Sequence, residues 1–284
     1  MSNYRITLAY DGTDYVGWQR QTNGISIQGL IEDALRALGE RDVTLHGAGR
    51  TDAGVHALGQ VASFTLHRAL PCDALVRALN ARLPAAIRVL SAHEAPADFH
   101  PRFSARQKTY RYRIWNGDAI NPFECRYAWH VSGALDAGAM QAAAALLVGR
   151  HDFAAFQSTG SEVATTEREI VSSRIIAGLP PSRSTRFGGP GKPCATQTMP
   201  QAAQTVPQSG EPLIVYEVTG TGFLRHMVRA IVGTLVEVGR GRQPIEWMGR
   251  VLASRDRAMA GPTAPPEGLF LVGVTYGESL AANP

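Results

Sequence analysis

The sequence predicts an α+β fold built from two halves, each with the β-α-β-β-α-β order of a ferredoxin-like unit. Three observations predict it. Strand-like and helix-like segments alternate through the first third of the chain. The same order returns, more loosely, in the remainder, without any repeated sequence. The length of 284 residues, with 44% hydrophobic and 18% charged residues, suits one large domain or two halves packed around a shared sheet.

Tyr4–Tyr10 carries Ile6 and Leu8 on one face, with the period of two expected of a strand. Ser26 can cap a helix with Ile27, Leu30, Ile31, Ala34, Leu35 and Leu38 on one stripe, ending near Gly39. Asp42–Leu45 and Gln60–His67 read as strands on either side of a glycine-rich loop. A helix from about Asp73 to Arg82 stops before Pro84, and Ile87–Ala92 is extended again.

The second half opens with a long alternating strand, Arg106–Asn116. Lys108, Tyr110, Tyr112 and Ile114 take one face; Thr109, Arg111, Arg113 and Trp115 take the other. Asp136 caps an alanine-rich helix ending near Gly149, and Ile170–Ala177 and Leu213–Thr219 read as strands. Phe223–Val238 is expected to be a helix, Pro244 opens another to Ser254, and Leu269–Tyr276 is a closing apolar strand. Pro180–Pro212 is rich in Pro, Ser, Gly, Gln and Thr and cannot support a core, so it reads as a mobile insertion. The predicted division is 1–105 and 106–284.

Composition narrows the function. No apolar run is long enough to span a bilayer, and Met1–Gly12 lacks the layout of a signal sequence; a cytoplasmic location is expected. Cys72, Cys125 and Cys194 lie far apart without metal-ligand spacing, so neither a disulfide framework nor a metal site is expected. The net charge is +4, and 26 of the 28 basic residues are arginine. Arginine suits phosphate and stacks on bases, although GC-rich codons would produce the same excess.

The glycine-rich loop is His46-Gly47-Ala48-Gly49-Arg50-Thr51-Asp52-Ala53-Gly54-Val55-His56-Ala57. It sets one carboxylate beside one guanidinium among three glycines, with no hydrophobic periodicity. Two readings are open here: a turn whose Arg50 and Asp52 cap neighbouring backbone, or a nucleophilic or basic aspartate kept ionised by its neighbour. A glycosidase would usually need a second carboxylate, which this loop lacks. The loop also lacks the Gly-Lys-Ser/Thr ending of a nucleotide cradle. Further on, Arg225 and Arg229 are spaced to share one helix face, where they would either hold an anion between them or lie solvated.

Eight segments, in family order and spacing, resemble the TruA-type tRNA pseudouridine synthases. They are Ala48–Ala57 (AGRTDAGVHA), Tyr10–Gln21 (YDGTDYVGWQRQ), Asn80–Pro84, Asp98–Ala105 (DFHPRFSA), Lys108–Ile114 (KTYRYRI), Gly149–Phe156, Phe223–Arg229 (FLRHMVR) and Glu267–Val274. The resemblance spans nearly the whole chain. It implies two pseudo-symmetric ferredoxin-like halves sharing a mostly antiparallel sheet, with helices on one side and a central catalytic cleft. It implies a cofactor-free isomerase that converts uridine to pseudouridine at positions 38, 39 and 40 in the anticodon stem-loop of tRNA. It further implies a homodimer that binds tRNA.

Residue by residue, the resemblance makes Asp52 the catalytic aspartate, attacking the nucleoside or taking a ribose proton. Arg50 would assist base flipping, Tyr110 would stack on the uracil, and Arg225 would pair with Asp52. Leu269 and Leu271 would wall the pocket, and Arg20, Arg102, Arg168 and Arg229 would contact RNA. One departure is Ala164, which stands where the family usually carries a basic residue.

Overall fold

The structure, a computed structural model, describes residues 1–39, 43–158, 160, 163–177 and 212–277. The insertion expected at 180–212 therefore lies, apart from Pro212, outside the described residues. The elements of the first half are β1 (Ser2–Tyr10), α1 (Ile27–Arg36), β2 (His46–Gly47), β3 (His56–Leu66), α2 (Cys72–Asn80) and β4 (Ile87–Glu94). Then follow β5 (Gln107–Trp115), β6 (Trp129–His130), α3 (Ala137–Ala145), β7 (Gly149–Asp152), β8 (Glu167–Ala177) and β9 (Leu213–Gly220). The remaining elements are α4 (Met227–Gly239), α5 (Trp247–Ser254) and β10 (Leu269–Thr275).

The ten strands form one mixed, mostly antiparallel sheet in the order β4-β1-β3-β10-β5-β9-β8-β7, with β2 beside β3 and β6 beside β5. The fold is α+β, as the sequence predicts. The ferredoxin-like order of four strands appears twice, as β4-β1-β3-β2 and as β10-β5-β9-β8. The join is made at β3. One end of this 11-residue strand pairs with β2 through Ser63 and Ala62, and the other pairs in parallel with β10 through His56 and Ala57. β10 is in turn antiparallel to β5. The glycine-rich loop connects β2 to β3, so it lies where the two four-stranded units meet.

Partners across this join put side chains in rows. Tyr10, Ala57, Leu271, Tyr110 and Val218 are successive cross-strand partners from β1 to β9, and cross-strand partners share a face. This face is the apolar one. The alternation of β1 buries Tyr4, Ile6, Leu8 and Tyr10 completely, against Ile27, Ile31 and Leu35 of α1 and Leu75 and Leu79 of α2. On the same face Tyr112, Ile114 and Tyr216 pack with Met140 of α3, Ile231 and Leu235 of α4, and Met248 and Val251 of α5. The opposite face carries a charged row in which Glu217 of β9 accepts from Arg111 at 2.5 Å and also pairs with Arg174 of β8.

Caps and close approaches set the helices. Ser26 accepts from the Gly29 amide at 3.2 Å and Asp136 from the Ala139 amide at 2.9 Å, giving α1 and α3 their starts. α4 is buried almost all round because a backbone loop lies against it. A Cβ at Gly233 would stand 1.7 Å from the Pro262 carbonyl oxygen. Thr234 Oγ1 also accepts from the Gly261 amide at 2.9 Å.

Two expectations are corrected and one further strand appears. Residues 43–45 are not a strand; pairing begins at His46, because β2 meets only the far end of β3. β7 pairs antiparallel with β8 and widens the sheet, though Gly149–Asp152 carries too little alternation to read as a strand. The helix expected from Phe223 begins at Met227, because His226 takes the left-handed conformation (φ 60°, ψ 4°) and turns the chain into the helix. Arg225 thus lies in the turn, and Arg225 and Arg229 do not share a helix face.

The join is also tied by Lys108 at the start of β5, whose Nζ donates to the Ala48 carbonyl at 2.7 Å. Burial, with a smaller push from Arg102, lowers its ammonium to about 8. Between pH 8 and the unfolded value of about 10.4 the folded chain then holds fewer protons than the unfolded one, so this group makes stability rise with pH. In Lys108→Met that slope disappears. Urea titrations at pH 7, 8.5 and 10 are expected to show the stability difference shifting in favour of the wild type as pH rises. Gly233→Ala is expected to lose about 2–3 kcal/mol in the same assay, as the Pro262 carbonyl is forced off α4.

Candidate active site

The loop between β2 and β3 is fastened nearly residue by residue. The Ala48 amide donates to the Val61 carbonyl at 2.8 Å, and Gln60 Nε2 donates to the Gly49 carbonyl at 2.9 Å. The Tyr10 hydroxyl shares a 2.8 Å hydrogen bond with Thr51 Oγ1, and the Trp18 amide donates to the Thr51 carbonyl at 3.0 Å. Glycine is required at Gly17, where φ is +105° and a Cβ would stand 2.4 Å from the Thr51 carbonyl oxygen. A short turn follows, in which the Val55 amide donates to the Asp52 carbonyl at 3.1 Å. Asp52 therefore hangs from an immobilised loop, with its side chain about one third exposed.

The partners of Asp52 come from the start of α4. His226 Nε2 lies 3.3 Å and Arg229 Nη1 3.8 Å from Asp52 Oδ2. Arg229 is itself held, since its Nε donates to the Ala264 carbonyl at 2.7 Å and the Ala264 amide donates to the Arg229 carbonyl at 3.1 Å. Burial lowers the His226 imidazole below its ordinary value. The Asp52 charge opposes that shift, while Arg229, Arg225 and Arg257 add to it. At neutral pH the imidazole is thus largely neutral, and Arg229 is the cation that balances Asp52.

Tyr110 is almost wholly buried and lies next to Leu271 in the cross-strand row. The Phe223 ring meets it edge-on at 4.9 Å between centroids. Burial, with smaller contributions from Tyr10 and Asp52, raises the Tyr110 phenol above its ordinary value, so it stays protonated. Its hydroxyl faces Gly49, where a Cβ would stand 3.9 Å away. Leu269 and Leu271 are both buried on the same face. A carboxylate, a neutral phenol and an apolar wall thus converge at the join.

The other expected residues are placed differently. Arg225 is exposed in the turn, and the pairing with Asp52 that the resemblance implied for it is made by Arg229. Arg229 is thereby occupied at the site rather than free for RNA. Arg50 is exposed on the loop. Arg20 lies against α1, 3.2 Å from Glu32 and 3.1 Å from Asp33. Arg168 donates to the carbonyls of Thr165 and Glu167 at 2.9 and 2.6 Å. Arg102 is exposed, and its charge is felt by both Lys108 and Arg168. His226, Phe223 and Lys108 were not expected at the site. Lys108 could have been found, because it precedes Tyr110 by one alternation on the same strand face.

On the opposite face of the join, His56 is fully buried and stacks on Phe270 at 4.6 Å. Its Nδ1 lies 3.1 Å from the Gly12 amide and 3.2 Å from Asp11 Oδ1, and the Tyr127 hydroxyl donates to Asp11 Oδ2 at 2.8 Å. Burial opposes ionisation of Asp11. The hydrogen bonds from His56, Thr13 and Tyr127 outweigh it and hold the carboxyl well below the usual range. These contacts bind β1, β3, β10 and the 126–127 segment together behind the site.

Comparison with known proteins identifies the family. The family described as tRNA pseudouridine synthase matches residues 6–104 and 143–277, a span that includes the loop, α4 and β10. The chain is 45% identical to the tRNA pseudouridine synthase A of Myxococcus xanthus over 284 residues, covering 100% of this chain and 95% of that protein. It is 44% identical to the protein of the same name from Syntrophotalea carbinolica over 276 residues, covering 97% of each. A third relative, tRNA pseudouridine synthase A 1 of Desulfotalea psychrophila, is 42% identical over 97% of this chain and its own full length. With a family match over residues 6–104 and 143–277 and relatives 42–45% identical over nearly the whole chain, the chain belongs to the tRNA pseudouridine synthase family.

Proposed function

We propose that this protein isomerises uridine to pseudouridine at positions 38, 39 and 40 of the tRNA anticodon stem-loop, with Asp52 as its catalytic carboxylate. The observation that carries the assignment to Asp52 is its setting: a carboxylate on an immobilised loop, paired with Arg229 and near enough for its charge to act on Tyr110, the cross-strand partner of Leu271. The reaction must break the bond from C1′ to N1, turn the base, and rejoin it through C5. The site therefore has to hold a detached uracil without admitting water.

The residues divide that work. Asp52 supplies the negative charge that attacks the nucleoside or takes a proton from its ribose. Arg229 gives the Asp52 carboxylate a counter-charge at 3.8 Å in a partly dry setting, where an unpaired charge would cost several kcal/mol. Tyr110 offers a ring face to the base, while Leu269 and Leu271 exclude solvent. Arg50, exposed on the same loop, assists flipping of the target base. Extrusion itself costs a few kcal/mol, supplied by contacts to the rest of the RNA, to which exposed arginines such as Arg102 contribute. The homodimer that the resemblance implies and the cytoplasmic location expected from the sequence belong to the same proposal.

Asp52→Asn preserves shape and removes charge. It is expected to reduce tritium release from C5-labelled tRNA at least 1,000-fold while tRNA affinity in filter binding changes less than threefold; near wild-type release would refute the assignment. Arg229→Gln is expected to lower kcat at least 100-fold, against less than threefold for Arg225→Gln. The reverse order would return the pairing role to Arg225.

A further inference from the structure

A second aromatic feature begins at the same loop and leads away from Asp52. His46, two residues before Ala48, lies with its ring centroid 5.2 Å from that of His100, and His100 lies 4.3 Å from Phe103. The row ends in the open: Phe103 is 77% exposed. The Arg102 guanidinium carbon stands 5.7 Å from the Phe103 ring centroid. A Phe this exposed is ordinarily on a loose loop, but this turn is firmly held. His100 and Ser104 exchange hydrogen bonds at 3.2 and 2.9 Å, through the His100 amide to Ser104 Oγ and the Ser104 amide to the His100 carbonyl. His100 Nδ1 accepts from the amides of Arg102 and Phe103 at 3.2 and 3.4 Å, which fixes the imidazole orientation beneath Phe103. The Tyr276 hydroxyl anchors the Pro101 carbonyl at 2.9 Å, and the Tyr276 ring meets Phe99 edge-on at 5.2 Å.

Beside the row is a cavity of about 450 Å³, lined by His46, His100, Asp98, Asn3, Thr44 and Thr65 among others. Its polar lining suits the edge of a base, and the rings suit its faces. The charge around it favours nucleic acid over protein. The charge of Arg102 acts on both Lys108 and Arg168, so the surroundings of the platform are basic.

We propose that Phe103, backed by His100 and His46, is a stacking platform for an unpaired nucleobase of the tRNA other than the uridine being isomerised, and that Arg102 takes the neighbouring phosphate. Base stacking on an exposed aromatic contributes about 1–3 kcal/mol per base and tolerates any base, because every base offers a π face. The site thus grips the RNA while the target uridine is turned at Asp52. It contributes to binding in the ground state and the transition state alike, so its loss raises KM and leaves kcat.

The experiment uses the full chain and an unmodified tRNA transcript, because the inference rests on tRNA being the substrate. Phe103→Ala is expected to raise KM and the Kd for tRNA about tenfold, with kcat changed less than twofold and an unchanged melting temperature. Phe103→Trp is expected to restore both constants to within twofold of wild type, with indole fluorescence quenched on adding tRNA. Arg102→Ala is expected to flatten the slope of log Kd against log salt by about one. KM and Kd within twofold of wild type in Phe103→Ala would overturn the platform, as would equal losses in the Ala and Trp variants. A change in sedimentation of Phe103→Ala without a change in Kd would also overturn it, by assigning the ring to contact with a second copy of the chain. Absence of tritium release by the wild type would refute the proposed function alone, since the Kd comparison still reads the platform.

Discussion

The structure depends on holding one half-buried carboxylate against a cation from the other unit. Asp52 comes from the loop of one four-stranded unit and Arg229 from a helix of the other, so their contact exists only when the two units are joined. Neither group can relax away. Asp52 is carried by a loop tied to β1, β3 and β5, and Arg229 is tied to the backbone at Ala264. The pair is therefore preorganised.

Much of the rest serves that contact. β10 is shared between β3 and β5, which brings the two units to a fixed spacing and sets Leu271 beside Tyr110. The close approach of Pro262 to Gly233 fixes the depth of α4. The left-handed His226 turns the chain so that the first helical turn points at Asp52. A non-glycine residue in that conformation costs about 1 kcal/mol or more. The cost is tolerable because His226 gains a place 3.3 Å from the carboxylate.

Local patterns in the chain disclose most of the elements and the central residue. The alternation of Tyr4–Tyr10 and of Lys108–Ile114, the caps Ser26 and Asp136, and the charged glycine-rich loop are all visible without a structure. Less visible is anything decided by long-range pairing. That β10 enters between β3 and β5 depends on partners some 160 and 210 residues away. The helical spacing of Phe223–Val238 continues smoothly through His226, so the turn there leaves no trace in hydrophobic periodicity. That smoothness is why Arg225 and Arg229 read as neighbours on one face, and why the partner of Asp52 emerges only from geometry. Tyr110 escaped this difficulty because strand alternation alone fixes its side of the sheet.

The position of β10 also orders events during synthesis. β10 follows every other strand in the chain, yet it fills the middle of the sheet, between strands made much earlier. Until residues 269–275 have been made and have paired, β3 and β5 present open edges to each other and to neighbouring chains. A ribosome-bound chain truncated before that point can complete neither the wall of the pocket nor the spacing between Asp52 and α4. Catalytic competence therefore arrives in a single late step, and the half-made protein is a chain to be shielded from aggregation rather than a slow enzyme.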